Sequence, residues 1–220
     1  MATANWPMTL EPSEPGVAEW TLAPFDALVA AILGRPAPRI IAVDGRSASG
    51  KSTLGARLAE QLPDAALVHT DDLAWNEPFF AWGHLLREAV LRPARRGEAV
   101  SFTPPAWATH GRTGSIEVPA GVQTLIVEGV GASHVSTVGL VDLTIWVQSD
   151  RLVAERRGLA RDIASGENGD AAATQAFWDE WDEAECRYLA EDRPWQRADL
   201  IVAGTTPVPL PEGTIAVAAG

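Results

Sequence analysis

Lysine is nearly absent from this chain of 220 residues: of its 17 basic side chains, sixteen are arginine, and the single lysine is Lys51. Positive charge as a whole is scarce, with 17 basic against 29 acidic residues and a net charge of −12. A surface of that sign repels phosphate backbones and anionic lipid, so nucleic acid and membrane are not expected as partners. Any anionic ligand then needs locally placed cations. Cysteine is down to one residue, Cys186; no disulfide framework exists, the thiol reads as helix packing, and a reducing, cytoplasmic setting is expected. His69, His84, His110 and His134 have no metal-ligand spacing, which sets zinc aside. No apolar run approaches the roughly 18 residues of a membrane helix, and the start, broken by Pro7, Pro12 and Pro15, has no apolar core of a secretory signal. Internal repeats and low-complexity tracts are missing as well.

What is present fits one α/β domain with a full core: 46% of residues are hydrophobic and 21% charged. Residues 1–22 read as a proline-broken arm and 24–33 as a short amphipathic helix ended by Gly34 and Pro36. Residues 39–44 form a continuous apolar run of strand length, expected of a strand buried on both faces, and further strands are expected at 66–69, 123–128 (buried), 141–147 and 200–203. Between them lie helical patterns at 52–62 (Leu54, Leu58 and Leu62 at successive fourth positions), 79–91, 150–163 and 171–190. The stretch 93–119 is rich in Gly, Pro and Thr and reads as an excursion with room for a small hairpin. Alternating strands and helices predict a five-stranded, mostly parallel sheet with helices on both faces and a small helical lid. Ligands of such sheets sit beyond the carboxyl ends of the strands, where Asp44, Asp71 and Glu128 all fall.

The segment Gly45-Arg46-Ser47-Ala48-Ser49-Gly50-Lys51-Ser52 matches G-x-x-x-x-G-K-[ST] in full. Its glycines let successive N–H groups turn toward phosphate oxygens, and the helix that follows, with Thr53 in its first turn, presents a positive dipole end. Lys51 is the compact ammonium for the β- and γ-phosphates, and Ser52 is a magnesium ligand; ATP with magnesium is the expected cofactor pair. Glu128, at a strand end before Gly129, is the expected acidic partner of the metal. Asp71 is the expected base for an acceptor hydroxyl, with a second role at the metal's water shell; Asp72 is an acceptor contact or a helix cap. Arg157 and Arg161, four apart with Arg156 adjacent, share one helix face that can close over the transferred phosphoryl group. Trp75, Trp82 and Trp107 lie where a planar substrate could stack.

Taken in order, VDGRSASGKSTL (43–54), HTDDLAW (69–75), LIVEGV (125–130), RRGLARD (156–162) and RADLIV (197–202) resemble the uridine kinase-like branch of P-loop kinases, which includes uridine–cytidine, nicotinamide riboside and pantothenate kinases. The resemblance covers most of 39–203. It implies transfer of the ATP γ-phosphate to a hydroxyl of a nucleoside or similar small molecule, with Asp71 as acceptor-binding base, Glu128 as second acidic magnesium partner, and Arg157 and Arg161 as lid arginines. The chain departs from the family pattern at 104–107, which lacks a Tyr-Asp pair, at 163–170, which lacks further basic residues, and at Leu73-Ala74, where an aromatic pair is common. The expected organisation is an arm with a short helix over 1–38, a kinase domain over 39–204 with its acceptor-side excursion at 93–119 and lid at 156–170, and an extension over 205–220 packing on that domain. Two other functions stay open at this point: a nucleoside monophosphate kinase, because IAVDG before the P-loop also looks like cytidylate kinase and Arg87, Arg92, Arg95 and Arg96 are available for a phosphate acceptor, and a nucleotide-binding regulator with little turnover.

Overall fold

The computed structural model describes residues 3–220. In chain order it contains β1 (Thr3–Ala4), β2 (Trp20–Pro24), α1 (Phe25–Leu33), β3 (Arg39–Asp44), α2 (Lys51–Gln61), β4 (Ala65–His69), α3 (Thr70–Ala74), α4 (Gly83–Leu85), a wider π turn over Leu86–Leu91, α5 (Arg92–Arg95), β5 (Val100–Phe102), α6 (Pro105–Thr109), β6 (Ile116–Val118), β7 (Thr124–Glu128), β8 (Leu143–Gln148), α7 (Arg151–Ser165), α8 (Ala171–Asp192), β9 (Leu200–Ala203) and β10 (Thr214–Ala219). None of these helices is long and apolar enough to cross a membrane.

The five expected strands form the parallel heart of the sheet, in the order β9-β8-β3-β7-β4. The sheet itself has eight strands, where five were expected. β10, β2 and β1 extend it antiparallel beyond β9, with Ala216 opposite Leu22 and Ala218 opposite Ile201. The proline-broken arm hid β2, because the five residues of Trp-Thr-Leu-Ala-Pro carry too little alternation to show a period, although Trp20 is fully buried. The excursion holds the two-stranded hairpin β5–β6, Val100 opposite Val118. The helix expected over 79–91 starts later, at Gly83, and runs on past Pro93 to Arg95. Proline has no N–H and crowds the carbonyl four residues back, which accounts for the widened turn just before it.

β3 shows how the core is divided. Ile40 and Ala42 pack on one face with Leu73, Leu86 and Leu125, while Ile41 and Val43 pack on the other with α1 and α2 through Phe25, Ile32, Leu54 and Leu58. A third cluster, of Trp20, Trp146, Leu189, Trp195 and Ile201, fixes α8 and the added strands to the parallel sheet. Parallel pairing holds the carboxyl ends of these strands in register, so the end of β3 (Asp44), the end of β7 (Glu128) and the start of α3 directly after β4 (Asp71) meet at one edge.

Candidate active site

The loop between β3 and α2 is the floor of the site. Gly50 has φ +105°, a left-handed conformation open to glycine at no steric cost, and it turns the chain into α2. Lys51 is buried, and its Nζ donates to the Arg46 carbonyl at 2.7 Å. Burial lowers its pKa, and the negative fields of Glu185, Asp71, Glu128 and Asp44 oppose that shift. Ser52 Oγ donates to Glu128 Oε2 at 3.2 Å, and the other Glu128 oxygen meets His69 Nδ1. That contact raises the His69 pKa above its ordinary value, with burial working against it. A cleft of about 250 Å³ is lined by Ser47, Ala48, Gly50 to Thr53, Asp71, Glu128, Arg157 and Arg161. The sequence-derived set of loop, two carboxylates and two arginines therefore faces one space.

Asp71 is reached by solvent at the mouth of this cleft yet crowded by protein on most sides. The crowding raises its carboxyl pKa; Lys51 opposes the shift and Glu128 adds to it. Magnesium takes hard oxygen donors and keeps several waters. The hydroxyl of Ser52 and the carboxylates of Glu128 and Asp71 fit that chemistry. Among the described residues no group of three or more His, Cys, Asp or Glu side chains forms a protein-only metal cage.

Several residues sit elsewhere than their position in the sequence suggested. Asp44 does not face the cleft: it is fully buried and accepts from Gly45 N (2.7 Å), Gly131 N (2.9 Å), Ser133 N (2.8 Å) and Ser133 Oγ (2.7 Å), tying the P-loop to the turn after β7. The Arg46 guanidinium turns away from the cleft and is buried near Glu11 (3.5 Å), Glu14 (4.0 Å) and Glu185 (3.5 Å). The Ser49 side chain is buried under the loop. Asp72 pairs with Arg112, whose guanidinium lies 3.6 Å over the Trp107 ring. Trp107 is buried, and its Nε1 donates to the Asp72 carbonyl at 2.8 Å. Asp72 and Trp107 thus anchor the excursion to α3. Trp75 and Trp82 do line a cavity, of about 560 Å³, which adjoins the cleft. Arg157 donates through Nε to the Ala48 carbonyl at 3.0 Å, and Arg161 pairs with Asp162 at 2.7 Å.

Contact between α7 and the loop depends on Gly158. A Cβ there would fall 2.2 Å from the Trp178 ring and 2.9 Å from the Ala48 Cβ. Glycine to alanine inside a helix ordinarily stabilises by about 1 kcal/mol, but overpacking of this kind costs about 1–3 kcal/mol. Gly158→Ala is expected to lower the melting temperature by a few degrees, measured by circular dichroism. An unchanged or raised melting temperature would show that α7 does not pack this tightly.

The cavity also contains groups that the sequence reading missed. Phe177 and Trp181 on α8 line it, and Trp181 Nε1 donates to Ser47 Oγ at 2.7 Å. One turn further on, Glu185 accepts from Ser47 N at 2.7 Å. Phe177, Trp181, Glu185 and Tyr188 fall on one helical face, a stripe of aromatics and acid inside what read only as an acidic helix. A third cavity, of about 500 Å³, borders the loop through Arg157 and is lined by Trp6, Met8, Val153 and 204–207. Cys186, beside Glu11, has its thiol pushed up to about 12, mainly by burial, with Asp182 and Glu11 adding negative field. Alkylation of the native protein by iodoacetamide at about pH 8 is therefore expected to be at least about a hundredfold slower than in denaturant, read by mass spectrometry. Equal rates would show an open thiol.

No known family profile matches the chain, and no curated protein matches it. Solved structures do. A possible uridine kinase from Bacillus stearothermophilus superposes with a TM-score of 0.52 at 20% identity, covering 80% of this chain and 96% of that one. A protein assigned as a fructose transport system kinase from Silicibacter sp. TM1040 gives 0.51 at 21% identity, over 80% and 95%. The YGR205w protein gives 0.55 at 12%, over 81% and 92%. The fold is that of the uridine kinase-like P-loop kinases. Within that fold, the site described here lies where open α/β sheets take their ligands, at the carboxyl ends of the parallel strands.

Proposed function

We propose that this protein is an ATP-dependent kinase that transfers the γ-phosphoryl group to a hydroxyl of a small molecule. The observation that carries the reading is that the P-loop cleft and the aromatic cavity share Asp71 and Arg161. A carboxylate and a guanidinium at the junction of a phosphate-sized cleft and an organic-sized cavity stand where an acceptor hydroxyl would meet a phosphoryl group. Bound ATP with magnesium supplies the phosphoryl group and the metal's charge. The amides of the loop and of the first turn of α2 hold phosphate oxygens, and Lys51 exchanges its bond to the Arg46 carbonyl for one to phosphate. Ser52, Glu128 and Asp71 offer oxygens to the metal. Asp71 also orients the acceptor hydroxyl and accepts its proton, while Arg157 and Arg161, closing as a lid, offset charge that develops on the transferred group. The base of the nucleotide fits the third cavity, beside Trp6 and Met8.

The cavity favours a hydroxyl acceptor over a phosphate acceptor. Arg87, Arg92, Arg95 and Arg96, which a monophosphate would need, pair with Glu88, Glu88, Asp142 and Glu98 and do not line it. The test is coupled ADP release across nucleosides, vitamins and sugars. At least one uncharged-hydroxyl compound is expected to raise ADP formation about tenfold over the rate without acceptor. ATP binding by calorimetry with no stimulation by any compound would instead identify a regulator.

A further inference from the structure

Resting on the kinase reading, Glu128 has to present a carboxylate oxygen to the metal, and its neighbours show what aims it. His69 ends β4 and stands directly opposite Glu128, the end of β7, in the parallel register. Opposed residues of paired strands turn their side chains to the same face, so imidazole and carboxylate meet at the sheet edge. The two Glu128 oxygens have separate partners. His69 Nδ1 holds Oε1, and Ser52 Oγ donates to Oε2 at 3.2 Å. A carboxylate accepts, so the proton of the imidazole sits on Nδ1. The stem of Glu128 is confined by α2, where a Cβ on Gly55 would fall 3.2 Å from Glu128 Cγ. Glu128 is buried and lines the P-loop cleft together with Ser52. His69 does not line that cleft, and nearly half of its side chain is exposed. Glu128 is its one hydrogen-bond partner among the described residues. The imidazole reaches the site through that carboxylate alone.

We infer that His69 is a positioning residue: its Nδ1–H fixes the rotation of the Glu128 carboxylate, so that Oε2, beside the Ser52 hydroxyl, is the oxygen offered to magnesium. A glutamate side chain has several torsions to settle, and magnesium tolerates little departure from octahedral geometry. Without the imidazole the carboxylate is free to turn, and metal binding must supply the ordering that the protein supplies now. Competition of His69 with the metal for the same carboxylate would have the reverse effect, tighter metal binding once the imidazole is removed.

The test compares the wild-type chain with His69→Ala and His69→Asn. The asparagine amide places its nitrogen as many bonds from the backbone as Nδ1 and keeps the donor. ATP is titrated by calorimetry once in excess magnesium and once in EDTA, and the ratio of the two affinities is the gain due to the metal. His69→Ala is expected to reduce that gain at least about tenfold, and His69→Asn to bring it back to within about threefold of wild type. Affinity in EDTA is expected to change by less than about threefold in either variant, which also reports an intact loop. The inference is overturned if His69→Ala keeps or raises the gain, if His69→Asn does not restore it, or if wild type gains nothing from magnesium. ADP release separates this claim from the kinase reading. A gain that falls in His69→Ala and returns in His69→Asn, with no acceptor raising ADP release, would sink the kinase reading alone. Acceptor-stimulated ADP release with a gain indifferent to His69 would sink the positioning role alone.

Discussion

Asp71→Asn is expected to lower turnover by about 10³-fold while ATP affinity changes by less than about threefold. The substitution keeps the shape of the side chain at the junction of cleft and cavity and removes its negative charge, and with it the ability to take a proton, while Ser52 and Glu128 remain to hold the metal. ATP would be held chiefly by loop amides and Lys51, none of which touches the Asp71 side chain through a hydrogen bond, so binding and chemistry should separate. The wild-type rate should also show where this carboxyl titrates. Its pKa is raised above the ordinary 3.8 by crowding, with Glu128 adding to the shift. The proton-accepting form is the ionised one, so activity should fall as pH drops through that raised value, and the acid limb should lie above that of a free aspartate. Steady-state ADP release across pH, with calorimetry for ATP, measures both. Turnover of the variant within tenfold of wild type would remove Asp71 from the base role.

Arg46→Met is expected to cost about 3–5 kcal/mol of stability, the usual consequence of deleting one member of a buried charge group. At about 2–4 °C per kcal/mol for a chain of this size, the melting temperature should drop by about 6–20 °C. The guanidinium is 3% exposed and lies within 4.0 Å of three carboxylates, those of Glu11, Glu14 and Glu185. Methionine fills much of the volume, so the loss is electrostatic rather than a cavity. The deficit should depend on pH, and its sign follows from Glu14. Burial raises the Glu14 pKa in the folded state, and Arg46 holds it down. Without Arg46 the folded value rises further, so the folded variant binds a proton that the unfolded chain releases. Folding is then favoured below the ordinary value of 4.5 and loses stability as pH rises toward the raised one. Thermal melts at about pH 5 and about pH 7.5 should show the variant recovering more on acidification than wild type. An equal loss at both pH values would mean that the three acids are solvated in the variant.

The parallel sheet was legible because its three central strands, β3, β7 and β8, are buried on both faces and leave largely apolar runs, while the flanking β4 and β9 leave shorter apolar segments of the same kind. The P-loop was legible because its chemistry requires glycine, lysine and serine at fixed spacing. β2 and β10 left weaker traces. They are bounded by Pro or Gly and carry small residues such as alanine and threonine, and they pair with each other across nearly two hundred residues of chain. The acceptor wall was only half readable. Trp75 and Trp82 lie near Asp71 in sequence, whereas Phe177 and Trp181 arrive from α8, a hundred residues on, and only the tertiary packing joins them. Asp44 illustrates the opposite error. A strand-end carboxylate looks available until its four donors are seen. Arg46, within the motif but pointing backward, was hidden for the same reason: spacing specifies a main-chain path and leaves side-chain direction to the neighbours.

The long helix α8 touches two compartments with consecutive turns. Trp181 is both part of the acceptor wall and a donor to Ser47 in the loop, and Glu185 grips the Ser47 amide directly. A rigid rod fastened at both places transmits displacement between them. Whatever occupancy of the organic chamber does to the grip on triphosphate, the triphosphate must return in equal measure, since the two free energies belong to one cycle. Cross-talk between the substrates would thus have a path through Ser47 in addition to the shared Asp71 and Arg161.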